Sequence, residues 1–117
     1  MANTRLIGKK AEDLAVHYLK RNGYRIIQRN YANKIGEIDI VGFENGQLVF
    51  IEVKARKTAL FGLPMESINT RKQNKLRLVA QSYIKQYGMP KGGCRFDVIS
   101  IILNKSQPDI QLIKNAF

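Results

Sequence analysis

The chain is poor in the side chains that make covalent, thiolate or imidazole chemistry. Among 117 residues there is one cysteine, one histidine and no tryptophan. A lone cysteine cannot build an internal disulfide framework, and one cysteine with one histidine cannot supply a zinc cluster. Three prolines and nine glycines follow no repeat, which excludes collagen-like and rod-like chains. No apolar run approaches the ~18 residues of a membrane-spanning helix. The N-terminus shows no apolar segment before a small-residue cleavage site, so a reducing, cytoplasmic setting and no membrane partner are expected. Negative charge is scarce as well. Nine Asp plus Glu stand against 20 Lys plus Arg, a formal net charge of +11.

What is present fits a folded chain. A 44% hydrophobic composition is enough for a core, and the length is that of one domain, expected to span residues 1–117. The excess of positive charge favours an anionic partner, either nucleic acid or an acidic membrane surface.

Periodicity gives the elements. Ile7, Ala11, Leu14, Ala15, Tyr18 and Leu19 recur at three- and four-residue intervals, which predicts a helix over Thr4–Asn22 that stops at Asn22 and Gly23. Glu12 falls at the edge of its apolar face. Three strands are expected next, over Tyr24–Asn30, Glu37–Phe43 and Gln47–Ala55. Alternation places Ile38 with Ile40 on one face, and Leu48, Phe50, Glu52 and Lys54 together on one face of the third strand. Thr58–Ser67 reads as a loop. A second helix runs over Arg71–Tyr87, with Thr70 and Gln73 at capping-box spacing and Gly88 and Pro90 as the stop. Strands over Arg95–Leu103 and Ile110–Ile113 complete an order best satisfied by an α/β or α+β sandwich. Cys94 reads as a packing residue at a strand entry and His17 as a structural residue beside the first helix's stripe.

Asn45-Gly46 is a strong signal for a two-residue hairpin, because both residues accept positive φ. It pairs Glu44 with Gln47, and counting back predicts Asp39 opposite Glu52 and Glu37 opposite Lys54. Opposed residues share a face with Cβ atoms roughly 5 Å apart. Two carboxylates there repel unless a cation or a proton lies between them. Asp39 and Glu52 can give hard oxygen ligands to Mg²⁺, and Lys54 can orient water or offset charge on a phosphoryl group. From spacing alone three readings stay open: metal-dependent chemistry, a basic binding module and a structural protein.

The run Gly36-Glu37-Ile38-Asp39, a short hairpin, then Ile51-Glu52-Val53-Lys54 resembles the PD-(D/E)XK nuclease motif. Nearly the whole chain resembles the small bacterial YraN family of endonuclease-like proteins, and it is similar to archaeal Holliday-junction resolvases. The resemblance implies a restriction-endonuclease-like core, a mixed β-sheet flanked by helices. It also implies Mg²⁺-dependent hydrolysis of DNA, branched DNA included, with Mn²⁺ as a substitute. Asp39 and Glu52 match the metal-binding acids, Lys54 the catalytic lysine, and Glu12 the first-helix glutamate that completes the site. Gln73 resembles a supporting helix glutamine. Glu37 is either a site carboxylate or the partner of Lys54. Ile38 stands where many such motifs carry proline. The alternative is a non-catalytic nucleic-acid-binding or structural module that keeps the fold.

Basic residues flank the acidic motif. Arg56, Lys57, Arg71, Lys72, Lys75 and Arg77 are the expected phosphate contacts. Tyr24, Tyr31 and Phe61 are candidates for base stacking, although core and edge packing is their simpler reading. Cutting two symmetric strands of a junction would suit a homodimer.

Overall fold

The structure, a computed structural model, describes residues 4–57, 68–103 and 106–117, with side chains from Gly8 onward. The elements run α1 (Thr4–Arg21), β1 (Arg25–Ala32), β2 (Glu37–Glu44), β3 (Gln47–Arg56), α2 (Thr70–Tyr87), β4 (Cys94–Ile102) and β5 (Asp109–Ile113). The loop expected over Thr58–Ser67, Phe61 included, lies outside the described residues, as does the side chain of Ile7.

Local chemistry sets most of these boundaries. The Asn22 N–H still bonds to Tyr18 O at 3.1 Å, and Gly23 at φ 90° then ends α1. Asn45 and Gly46 take φ 54° and 76°, the positive values a tight hairpin requires. At α2 the cap is Asn69 rather than Thr70: its Oδ1 accepts from Lys72 N at 2.9 Å. Asn and Thr are both good caps, and here the chain puts Thr70 inside the first turn. Gln73 donates to Ile68 O at 3.3 Å instead of closing a box with Thr70. Gly88, at φ 90°, ends the helix.

The five strands form one mixed sheet in the order β1-β2-β3-β4-β5. Only β3 and β4 are parallel, with α2 as their crossover. One helix covers each face. Ala11, Ala15, Val16 and Leu19 of α1 pack with Ile40, Val49, Ile51, Ile99 and Ile101. Leu76, Val79, Ala80 and Tyr83 of α2 pack with Ile38, Val41, Leu48 and Phe50, and Cys94 joins that side. This is an α/β fold consistent with a restriction-endonuclease-like core. No helix among the described residues is long and apolar enough to cross a membrane.

Two departures from simple alternation position the site. In β1 a bulge between Ile26 and Gln28 drops Ile27 from the ladder and leaves it exposed, which explains that strand's imperfect pattern. In β2, Ile38 and Ile40 do not share a face: Ile40 packs under α1 and Ile38 under α2. Asp39 lies between them. The β2–β3 ladder matches the hairpin register from Glu44–Gln47 back to Ile40–Ile51 and ends there. Asp39 is therefore not a ladder partner of Glu52, and Glu37 pairs with Ala32 of β1 rather than with Lys54. β2 stays with β1 while β3 stays with β4, and the sheet forks.

Candidate active site

At the fork a side chain replaces the missing ladder bond. Asp39 Oδ2 accepts from Val53 N at 2.8 Å, which fixes the carboxylate beside β3. The gap opens a cavity of about 490 Å³ against α1, walled by Glu12, Asn30, Glu37, Asp39, Val53 and Lys54. Four of the sequence-predicted residues thus line one space. Glu52 is not in that wall. It lies on the α2 side, near Ile38, Phe50 and Leu76, and meets the others through charge.

The electrostatics are those of a crowded acidic pair. Burial first, then the charge of Glu52, pushes the Asp39 carboxyl up to about 7. Glu37 and Glu12 push the same way, and the Val53 N–H opposes them. Lys54 Nζ stands 4.0 Å from Glu52 Oε1, and Lys72 Nζ, from the first turn of α2, stands 3.0 Å from the same oxygen. Burial, then the hydrogen bond and charge of Lys72, hold the Lys54 ammonium below its usual range despite Glu52 and Asp39. Burial also works against the Lys72 charge, but its hydrogen bonds and the nearby carboxylates outweigh it and raise its pKa.

Glu12 is partnered as well. Its Oε1 accepts from Arg29 Nε at 2.8 Å and from Asn30 Nδ2 at 3.0 Å. Arg29 also binds Asp13 at 2.6 Å. Asn30 reaches Glu12 from a left-handed conformation, φ 56°, within β1. Arg29 and Asn30 had no sequence signal, because their role exists only once β1 lies beside α1.

The basic residues are placed unequally. Lys57, Arg71 and Lys75 are exposed, and the Lys75 stem lies over Gly36, where an added Cβ would meet its Cε at 3.1 Å. Arg77 is engaged elsewhere, bonded to Asn74 and set 5.2 Å over the Phe117 ring. Arg56 is half-buried, and its Nε is buried without a hydrogen-bond partner among the described residues. Tyr24 and Tyr31 are buried, against Asp97 and Tyr83 respectively, so they are core residues and not stacking platforms.

A second polar cluster went unrecognised in the sequence. Asp97 is fully buried and accepts from Tyr24 Oη at 2.7 Å, Arg95 Nε at 3.0 Å and Asn115 N at 2.9 Å. Arg95 also donates to Glu44 at 2.6 Å and Gln47 at 2.9 Å. Burial, then the Asp97 hydrogen bond, drives the Tyr24 hydroxyl pKa far up. The available signal was Asp97 itself, one acid inside an apolar strand that buries both faces.

Among the described residues no three His, Cys, Asp or Glu side chains gather as a metal cage. Mg²⁺ does not need one, since it takes one or two carboxylates and keeps several waters. Asp39 and Glu52, near enough for the Glu52 charge to raise the Asp39 carboxyl, offer the hard oxygens that such an ion takes.

The fork, the acidic pair and the strand lysine define a nuclease-like α/β protein. The chain belongs to the uncharacterised protein family UPF0102, which it matches over residues 11–101, and which corresponds to the YraN, PD-(D/E)XK-like family of small bacterial nuclease-like proteins. It is 47% identical over 114 residues to a UPF0102 protein of Desulforamulus reducens, covering 94% of this chain and 93% of that one. It is 44% identical over 113 residues to one of Alkaliphilus oremlandii, covering 95% and 97%. A relative in Caldicellulosiruptor saccharolyticus is 41% identical over 117 residues, covering 98% and 99%.

Proposed function

We propose that this protein is a metal-dependent endonuclease that hydrolyses phosphodiester bonds in structured DNA, branched DNA included. The reading is supported above all by the fork at Asp39, which brings Glu12, Glu37, Asp39 and Lys54 around one cavity with Glu52 in electrostatic reach.

Asp39 and Glu52 would hold Mg²⁺, or Mn²⁺ in its place, with Glu12 lining the same space. When bound, the ion supplies Lewis-acid polarisation of the phosphodiester and an activated water. The chain's own residues do the rest. The Val53 N–H holds Asp39 in place. The Lys54 ammonium is positioned to orient the attacking water and offset charge gathering on the phosphoryl oxygens. Exposed Arg71, Lys75 and Lys57, with Arg56, would seat the DNA backbone without reading bases. Gln73 ties the start of α2 to Ile68 and so steadies the helix carrying Lys72. Glu37 completes the negative wall. A homodimer would place two such sites for paired cuts in a junction.

A non-catalytic binding role is favoured by one observation: Glu12 and Glu52 are already paired with Arg29 and Lys72. Cleavage of junctions, flaps, single strands and duplexes with Mg²⁺ or Mn²⁺ separates the two. The nuclease reading expects cutting of at least one form, reduced about a hundredfold or more by Asp39→Ala, Glu52→Ala or Lys54→Ala while folding is kept. Salt-sensitive binding with no cutting under either metal supports the binding role instead.

A further inference from the structure

Glu52 is the most enclosed acid of the site, its side chain 9% exposed, and burying a charge is costly unless it is paired. Lys54 comes no nearer than 4.0 Å, whereas Lys72 reaches 3.0 Å. The two ends of Lys72 differ. Its backbone is pinned by Asn69 Oδ1 at 2.9 Å, while its side chain is 37% exposed. The ammonium can therefore turn toward water without any movement of α2. A divalent cation held by Glu52 would have to share the carboxylate that Lys72 now occupies, and two cations on one carboxylate repel.

We propose that Lys72 is an internal competitor for the divalent cation: it neutralises Glu52 in the cation-free protein and gives up that carboxylate when the cation enters. The inference rests on the nuclease reading for the cation's position and adds a determinant of its affinity, carried by the helix rather than by the acidic strand. It makes Lys72 a positioning residue, distinct from the exposed Arg71 and Lys75 beside it. A purely supporting lysine would act oppositely, holding Glu52 ready for the ion, so the sign of the effect separates the two roles.

The test is Mn²⁺ binding to the full chain by titration calorimetry, with wild type, Lys72→Met and Lys72→Arg. Lys72→Met should bind Mn²⁺ roughly fivefold more tightly, the scale of losing one partly exposed ion pair, and Lys72→Arg should stay near wild type. Thermal melts give a second reading. Lys72→Met should melt below wild type in chelator, where Glu52 loses its partner, and gain more from saturating Mn²⁺ than wild type does. Unchanged or weaker Mn²⁺ binding by Lys72→Met, with wild-type binding intact, overturns the competitor role alone. Absence of binding by both proteins, or binding that survives Asp39→Ala, overturns the cation site and the competitor with it.

Discussion

Asp39 is an acid held where its charge is unwelcome, with burial and Glu52 pushing its carboxyl up to about 7. The folded-state value lies above the ordinary one of 3.8, so folding favours the protonated form. The resulting stability is full below about pH 4 and is lost as pH rises through about 7. Asp39→Asn should therefore stabilise the cation-free protein at about pH 8, by on the order of 3 kcal/mol, and give no gain at about pH 4. Unfolding by urea in chelator measures this, and added Mg²⁺ should shrink the difference. Asp97 matters through its hydrogen-bond partners. Its removal leaves Arg95, 9% exposed, with less of its counter-charge. Asp97→Ala should cost about 3 to 5 kcal/mol in the same assay. These residue-scale facts were only half legible. Asp39 and Glu52 stood out because acids are rare here, and Lys54 because it shares a strand with Glu52, but Lys72 beside Glu52 and Arg29 and Asn30 beside Glu12 come from other elements and leave no mark at fixed spacing.

Elements were far more readable, because their signals are local. The Asn45-Gly46 turn fixed the β2–β3 register as far as Ile40–Ile51, and the glycines after each helix marked its end. The fork was not readable. Ile38-Asp39-Ile40 alternates perfectly, yet Ile38 and Ile40 pack under opposite helices, at the point where β2 leaves β3 and stays paired with β1. The α2 cap was misplaced by one residue because Asn69 and Thr70 are both competent. Asn69→Ala should cost about 1 kcal/mol, and Asn69→Ser little, in thermal unfolding. Gly92 is a sharper case. A Cβ there would collide with the Gly46 carbonyl oxygen, a backbone atom that cannot swing aside. Gly92→Ala should lower stability by roughly 2 kcal/mol or more through strain at the β2–β3 turn.

At the scale of the whole molecule the charge of +11 is unevenly spent. Arg29, Lys72 and Arg95 are paired with acids, so the surface offers fewer free cations than composition suggests. Arg71, Lys75 and Lys57 remain exposed. Junction binding should weaken with salt, and Arg71→Ala or Lys75→Ala should each reduce the slope of log affinity against log salt by about 0.9. Arg77→Ala should change it little, since Arg77 packs on Phe117. In the proposed nuclease the exposed basic residues would hold DNA and the fork would cut it. The direct measurement is single-turnover cleavage of a bound four-way junction in Mg²⁺ by wild type and Lys54→Met, with occupancy matched. Equal binding and a rate at least about a hundredfold lower for Lys54→Met are expected. Equal rates from the two proteins, or no cleavage by wild type on any DNA form in either metal, would contradict the nuclease reading.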